Sequence, residues 1–348
     1  MLMHRDARRG LLRVLASGAV LHPQWARAAQ SWPTTQQTAW PIKGLTLVVP
    51  YAPGVGPDVL TRLLAAQLYR QLGRPVVTDY RGAAGGSMSA WIAAQASADG
   101  YTYFMGAMHD LIAAARYRKL DFDLQADLTP VVAMADIPLA LLINTRRVRA
   151  RSLGALLKDL RTRRGTLSCG SAGVGTVQHL AAEDFMAATQ TQARLTQVPY
   201  PSATLALADL VAGKIDLVFD ALSNAVPYLQ GGVLQGDEPS EGLVQALMVA
   251  APERAPAFAD VPTATELGLR DYEAFITTGL WAVRDTPQDI IERMGNEVAR
   301  ALKVPEVALA WAHFGAQINV MKAADFAQQT RRDAERWLQA NKANTKRK

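Results

Sequence analysis

The chain has a single cysteine, Cys169, among 348 residues. That excludes a disulfide within the chain and any cysteine-rich zinc module. It has no unbroken apolar run of about 18 residues, so an ordinary membrane-spanning helix is excluded. Histidines are scarce and scattered: His109, His179 and His313 stand alone and form no metal set with the acids. Neither a metal nor a cofactor is expected. Charge is not scarce, since 37 Lys+Arg face 31 Asp+Glu for a formal net of +6. Hydrophobic residues make up 49% and charged residues 20%, which supplies ample packed core and argues against disorder. At roughly 150 residues per domain, the length suggests two domains.

The positive charge sits at the ends. Arg5, Arg8, Arg9 and Arg13 crowd the start, the apolar stretch Leu11–Leu21 follows, and Ala26-Arg27-Ala28 offers a small-residue step. That order is the grammar of a secretory signal peptide at 1–28, followed by a linker at 29–40. Arg8-Arg9 also allows a twin-arginine signal. A retained basic amphipathic helix is the alternative. Asn341–Lys348 forms a basic tail with four more cations, of the kind that frays in solvent. Residues 29–340 then hold 28 basic and 30 acidic side chains. Nucleic acid is not an expected partner, because phosphate binding needs a clustered basic face.

Short apolar runs alternate with helical patterns almost from end to end. Strands are expected at Leu45–Pro50, Val76-Val77, Tyr101–Met105, Val131–Ala135, Ala140–Asn144, Thr166–Gly170, Leu195–Pro199, Ile215–Phe219 and Leu243–Val249. Leu60, Leu63, Leu64, Leu68 and Leu72 recur at helical spacing, and Gly73 with Pro75 ends that helix. Further helices are expected at Ser152–Arg163, Thr176–Ala188 and Thr204–Ala212, after Thr286-Pro287 with Thr286 as N-cap, and from about Ala323 to Leu338. Such alternation argues for parallel sheets in an α/β fold. Gly231–Gly242 is glycine-rich and acidic and reads as a surface loop.

Two glycine turns carry the strongest functional signal. The first, Pro50–Asp58, follows a strand and opens a helix; the second, Ser168–Thr176, repeats that arrangement. Glycines let the backbone come close to a ligand. A helix start offers unpaired N–H groups and the positive end of the dipole, which together suit an anion. Asp58 would repel a carboxylate and is assigned to capping the helix. Each turn taken singly is more often an ordinary strand–helix connection. Neither completes G-x-G-x-x-G, because Val59 and Gln178 occupy the third glycine position, so a dinucleotide site is weakly supported. Cys169 stands where the first glycine of G-x-S-x-G would be, so a serine-hydrolase elbow fails. Cys169 reads as a small buried hydrophobe, and His179 as a packing or hydrogen-bonding residue.

Beyond these turns the chain resembles the extracytoplasmic solute receptors of tripartite tricarboxylate transporters, the Bug family. The likeness spans roughly residues 40–340. It rests on Pro41-Ile42 with Leu45–Gly54 (LTLVVPYAPG), on Asp58–Arg62, Gln71–Val77 and Asp99–Thr102, on Ser171–Thr176 with His179-Leu180-Ala181, and on Val198–Tyr200, Asp209–Gly213 and Asp260–Thr263. Several positions depart from the family pattern. Val55 replaces a usual glycine, Ser87 a frequent Asn and Thr277 an aromatic, and about ten residues are inserted at 232–242.

The resemblance implies an α/β, two-lobed periplasmic binding protein (type II, Venus-flytrap), each lobe a sheet flanked by helices. Lobe 1 would hold residues 41–138 and 261–340, and lobe 2 residues 139–260. Tyr51, Ala52, Gly54, Val55 and Gly56 would form one jaw, and Ser171, Gly173, Gly175 and Thr176 the other. Ser87 and Asp220 would line the wall, with Asp220 able to accept a ligand hydroxyl or ammonium. The ligand would be a small carboxylate, the partners membrane permease subunits, the protein a monomer and its place the periplasm, with no catalysis. A sensory or adaptor receptor of the same fold and, less well supported, a nucleotide-dependent α/β enzyme are the alternatives.

Overall fold

The computed structural model describes residues 40–50, 56–81, 87–107, 124–162, 165–174, 176–191, 194–229, 234–235, 238–239 and 242–345. The expected leader and nearly all of the linker lie outside them. The first strand, β1 (Leu45–Val49), is followed by helix α1 (Gly56–Leu72). Leu60, Leu64 and Leu68 give α1 a buried stripe at i, i+4, i+8. It stops at Gly73, whose φ of 65° lets its N–H return to the Tyr69 carbonyl at 2.9 Å. Next come β2 (Val76–Tyr80), α2 (Ser87–Ala94), β3 (Thr102–Ala107), the single turn α3 (Leu124–Asp127) and β4 (Leu128–Asn144). The middle of the chain holds α4 (Leu153–Thr162), β5 (Leu167–Ser171), α5 (Val177–Thr189), β6 (Leu195–Pro199), α6 (Ala203–Val211), β7 (Leu217–Ala221) and α7 (Leu222–Leu229). After these lie β8 (Leu234–Gln235), β9 (Glu238–Pro239), β10 (Val244–Val249), β11 (Phe275–Val283), α8 (Gln288–Leu302), α9 (Pro305–His313), β12 (Gln317–Lys322) and α10 (Ala323–Thr345).

The main sheet runs β2-β1-β3-β11-β4-β7-β5-β6, with β10 and β12 also paired to β4. Two parallel triplets, β2-β1-β3 and β7-β5-β6, match the expected parallel character. The strands between them are antiparallel, so the sheet is mixed. Helices flank it, an arrangement consistent with a two-lobed fold.

β4 organises the whole. Its sequence reads as two strands, Val131–Ala135 and Ala140–Asn144, yet it is one strand of 17 residues. Pro138 is tolerated within it because the ladder changes partners there. Pairing with β11 ends at Pro138 opposite Phe275, and pairing with β7 begins at Leu139 opposite Ala221. β11 and β7 lie on opposite edges of β4: along one edge β11 gives way to β10, and along the other β12 gives way to β7. The Leu139 N–H donates to the Ala274 carbonyl at 2.9 Å, and Ala250 donates to Leu139 at 2.8 Å.

Each half has an aromatic core. Phe104, Trp281 and Phe326 stack with centroids 5.5 and 4.9 Å apart. Phe185, Phe219 and Tyr272 do the same at 5.3 to 6.3 Å. Tyr272 also donates its buried hydroxyl to the Ala181 carbonyl at 2.8 Å, which ties the segment before β11 to α5.

Three local expectations are corrected. Thr286 does not cap α8: its hydroxyl turns back to the Val283 carbonyl at 2.7 Å, and Pro287 occupies the cap position. Within the glycine-rich loop the described residues form a minimal antiparallel pair, β8 with β9. The tail is helical as far as Thr345, well past Leu338.

Candidate functional site

The second glycine turn leaves β5 at its carboxyl end, where ligands sit in open α/β sheets. Its conformation follows from hydrogen bonds within the turn. Thr176 has extended backbone and caps α5, its hydroxyl oxygen accepting from the His179 N–H at 3.4 Å. The same hydroxyl donates to the Gly173 carbonyl at 2.7 Å. Thr176 therefore shapes the turn, and its proton is not directed at a ligand. Gly173 has φ of 117°, open to glycine and strained for other residues. Tyr200 fastens the turn from outside: its N–H donates to the Ser171 carbonyl at 2.9 Å, and its hydroxyl reaches Asp209 at 3.0 Å.

Ser171 is buried, and among the described residues its hydroxyl makes only long contacts to Gly173, at 3.4 and 3.5 Å. It lines a narrow crevice, closed in this conformation with no room for a water molecule, together with Gly170, Ala172, Gln178, Ala203, Ala206, Val218, Phe219 and Asp220. Thus Ser171 and Asp220, far apart in sequence, lie on one crevice. Asp220 is the penultimate residue of β7 and is buried, its Oδ1 accepting from the Ala221 N–H at 2.8 Å and the Asn224 amide at 3.2 Å. Burial first, and then the charge of Asp220, push the Tyr228 phenol above its ordinary pKa. Gly170 lets its neighbours pack close: a Cβ there would lie 2.5 Å from Ile215 Cδ1 and 3.1 Å from Val218 Cγ1.

Of the first jaw, Tyr51, Ala52, Gly54 and Val55 lie outside the described residues, as does Gly175 of the second. Gly56 opens α1 and Ser87 opens α2. Asp58 is not an N-cap. It is the third residue of α1, fully buried, accepting from the Tyr80 hydroxyl at 2.5 Å and pairing with Arg62 at 3.1 Å. An acid in the first turn still favours the helix dipole. The Tyr80 phenol is held above its ordinary pKa, by burial and then by the hydrogen bond to Asp58. His179 is buried and faces Glu183 at 3.3 Å, an i, i+4 pair that the sequence contained and the reading above passed over. Cys169 is buried, and burial pushes its thiol up to about 12.

Gln178 is the crevice residue that sequence reasoning used only to exclude a dinucleotide loop. Its side chain is buried, and its Oε1 has no hydrogen-bond partner among the described residues. The signal was its place as second residue of a helix that follows a strand and a glycine turn.

A mixed sheet with flanking helices, and a glycine turn feeding a helix at a strand end, defines the chain as a periplasmic-binding-protein fold. Residues 60–344 match the tripartite tricarboxylate transporter family receptor, and the chain belongs to that family. It is similar to BugT of Bordetella pertussis, 28% identical over 293 residues that cover 84% of this chain and 86% of BugT. Among solved structures it is similar to MatC of Rhodopseudomonas palustris with bound malate, at 30% identity and TM-score 0.71, covering 86% and 98% of the two chains. R. palustris Rpa4515 with adipate matches at 29% identity and TM-score 0.75, covering 87% and 97%. The chain is a solute receptor of the Bug type.

Proposed function

We propose that this receptor closes on a small carboxylate in the periplasm and delivers it, as a monomer without catalysis, to permease subunits of a tripartite transporter. The observation that carries this reading is the second turn. Thr176 takes up the His179 N–H, but the Val177 and Gln178 N–H groups have no acceptor inside the helix, and among the described residues the Ser171 hydroxyl is only loosely held, so donors gather at the end of β5. The malate and adipate bound by the two relatives are dicarboxylates of the matching class. The first jaw, residues 51–56 with Ser87, is proposed to hold the ligand from the other side. Export by a signal peptide cleaved after Ala28 belongs to the same proposal.

We also place the crossings between lobes at 138–139 and 274–275, the second later than the residue 260 expected from sequence. The motive is the change of β4 partners at Pro138 and the attachment of Tyr272 to α5. Closure is then a hinge about two adjacent strands. Spin labels at Lys158 and Arg270 should keep their distance on ligand addition, whereas labels at Lys158 and Lys303 should shift; a shift in both pairs would move the hinge.

The direct test is calorimetry and thermal shift on the mature protein with mono-, di- and tricarboxylates. A micromolar ligand at millimolar concentration should stabilise by about 4 kcal/mol. Stabilisation by a nicotinamide dinucleotide, with none by any carboxylate, would end the receptor reading.

A further inference from the structure

We propose that Gly315 sets ligand affinity from outside the ligand site, by fixing how closely the two halves of the receptor approach beside the hinge. This rests on the receptor reading and the crossings placed above, and adds a positioning residue to them.

The halves meet at more than the crossing strands. α1 lies against α7, and α9 lies against the short helical turn Pro256–Phe258. Phe314, directly after α9, packs on the hydrophobic cluster of the other half that holds Leu222, Val226 and Phe258. The next residue, Gly315, is buried against Leu222. A Cβ at Gly315 would lie 2.7 Å from Leu222 Cβ and 3.0 Å from Leu222 Cδ1. Leu222 Cβ is fixed to the backbone, so no change of rotamer relieves that contact.

Leu222 follows Ala221, which lies opposite Leu139, and Gly315 stands two residues before Gln317, which lies opposite Asp136. The contact therefore sits beside the crossing, where β12 gives way to β7. So close to a hinge, a small displacement is magnified at the far ends of the lobes. The arrangement with the halves together is the one that closes on a ligand. Disfavouring it lowers the fraction of molecules able to hold the ligand and weakens apparent affinity by that fraction.

Gly315 also closes α9. Its φ is 74°, its N–H donates to the Ala312 carbonyl at 2.9 Å, and the Ala316 N–H donates to Trp311 at 3.0 Å. That turn lies within one half, so backbone strain at Gly315 is the same whether the halves are together or apart. Only the contact with Leu222 depends on their approach. Gly73 closes α1 with φ of 65° and has nothing within 4 Å of its would-be Cβ. Gly73→Ala thus carries the strain without the clash.

The test combines two measurements on the mature protein. One is calorimetric titration with malate, adipate and the rest of the carboxylate panel above. The other is the ligand-free distance between spin labels at Lys158 and Lys303. Gly315→Ala should weaken binding of the best acid about fivefold or more and lengthen the label distance. Gly73→Ala should lower the melting temperature but leave affinity within about twofold and the distance unchanged. Phe314→Ala removes packing between the halves without backbone strain, and carries the test if Gly315→Ala does not fold. It should weaken binding and lengthen the distance in the same way. Unchanged affinity and distance in both variants, tighter binding in Gly315→Ala, or an equal loss of affinity in Gly73→Ala would overturn the proposal and leave the receptor reading standing. Failure of the wild type to bind any carboxylate would remove the receptor reading, while the label distances would still decide whether Gly315 sets the approach of the halves.

Discussion

Gly170 offers a sharp test of how the crevice is built. It sits within β5, opposite Val198 on one side and Val218 on the other. In Gly170→Ala the new methyl would meet Ile215 Cδ1 at 2.5 Å, Val218 Cγ1 at 3.1 Å and Ala206 Cβ at 3.3 Å. Two effects oppose each other. Replacing glycine restricts the unfolded chain, which favours the variant by about 0.4–1 kcal/mol. Overpacking a close-fitted core costs about 1–3 kcal/mol. The Ile215 methyl is the end of a flexible side chain and can swing aside. Val218 and Ala206 are held through their backbones and cannot. Overpacking should win, leaving a net loss of about 1–2 kcal/mol. Ile215→Val removes the nearest obstructing atom and costs about 1 kcal/mol by itself. The double variant should recover about 1 kcal/mol of coupling, and so lose less than the two single changes combined. Urea denaturation followed by both fluorescence and circular dichroism measures all three, with coincident curves establishing two-state behaviour. A Gly170→Ala protein as stable as wild type would refute the reasoning. So would additivity within about 0.3–0.5 kcal/mol, since the penalty would then arise elsewhere.

Other tests address the scaffold around the site. Asp216 accepts from the Ser168 amide at 2.8 Å, the Ser168 hydroxyl at 2.6 Å and Arg147 at 2.7 Å. Burial raises its pKa, but these bonds outweigh that and hold it below the ordinary carboxylate value. Asp216→Ala should cost about 2 kcal/mol at pH 7 by chemical denaturation. A depressed pKa contributes stability above the unfolded value and loses it as pH falls, so the gap between wild type and Asp216→Ala should close below about pH 4; a gap independent of pH would sink the linkage. Tyr80→Phe should cost about 1.5–3 kcal/mol, because it takes a hydrogen bond from the buried Asp58 carboxylate. Absorbance titration should show the variant lacking one of the phenols that titrate above the ordinary value, with the others, Tyr228 among them, unchanged.

Much of this fold can be read from residue pattern, and the failures have physical causes. β1 is a compact apolar run, and β5 and β6 are short segments that end near glycine or proline, so local pattern marks them. β11 escaped because Thr277, Thr278 and Gly279 interrupt its apolar character. Two of these residues answer to partners distant in sequence: Thr277 donates to Asp136 at 2.6 Å, and Gly279 makes room for the Phe326 ring. The continuity of β4 escaped because Pro138 is a breaker by local rules, tolerated only where neighbouring strands change over. In the site, the capping role of Thr176 and the close backbone at Gly173 follow from turn chemistry alone. The pairing of Asp58 with Tyr80 does not, because it depends on β1 and β2 lying side by side. Gln178 beside Asp220 likewise requires β5 and β7 to be neighbours, with β6 displaced to the edge.

The long strand β4 also bears on how the molecule comes apart. It supplies backbone partners to β11 and β12 through one half and to β7 and β10 through the other. Neither half can melt without exposing the strand on which the other is built. Heat or denaturant should therefore take the body of the protein apart in a single cooperative event. The element proposed as the hinge is thus the one that keeps either half from surviving alone.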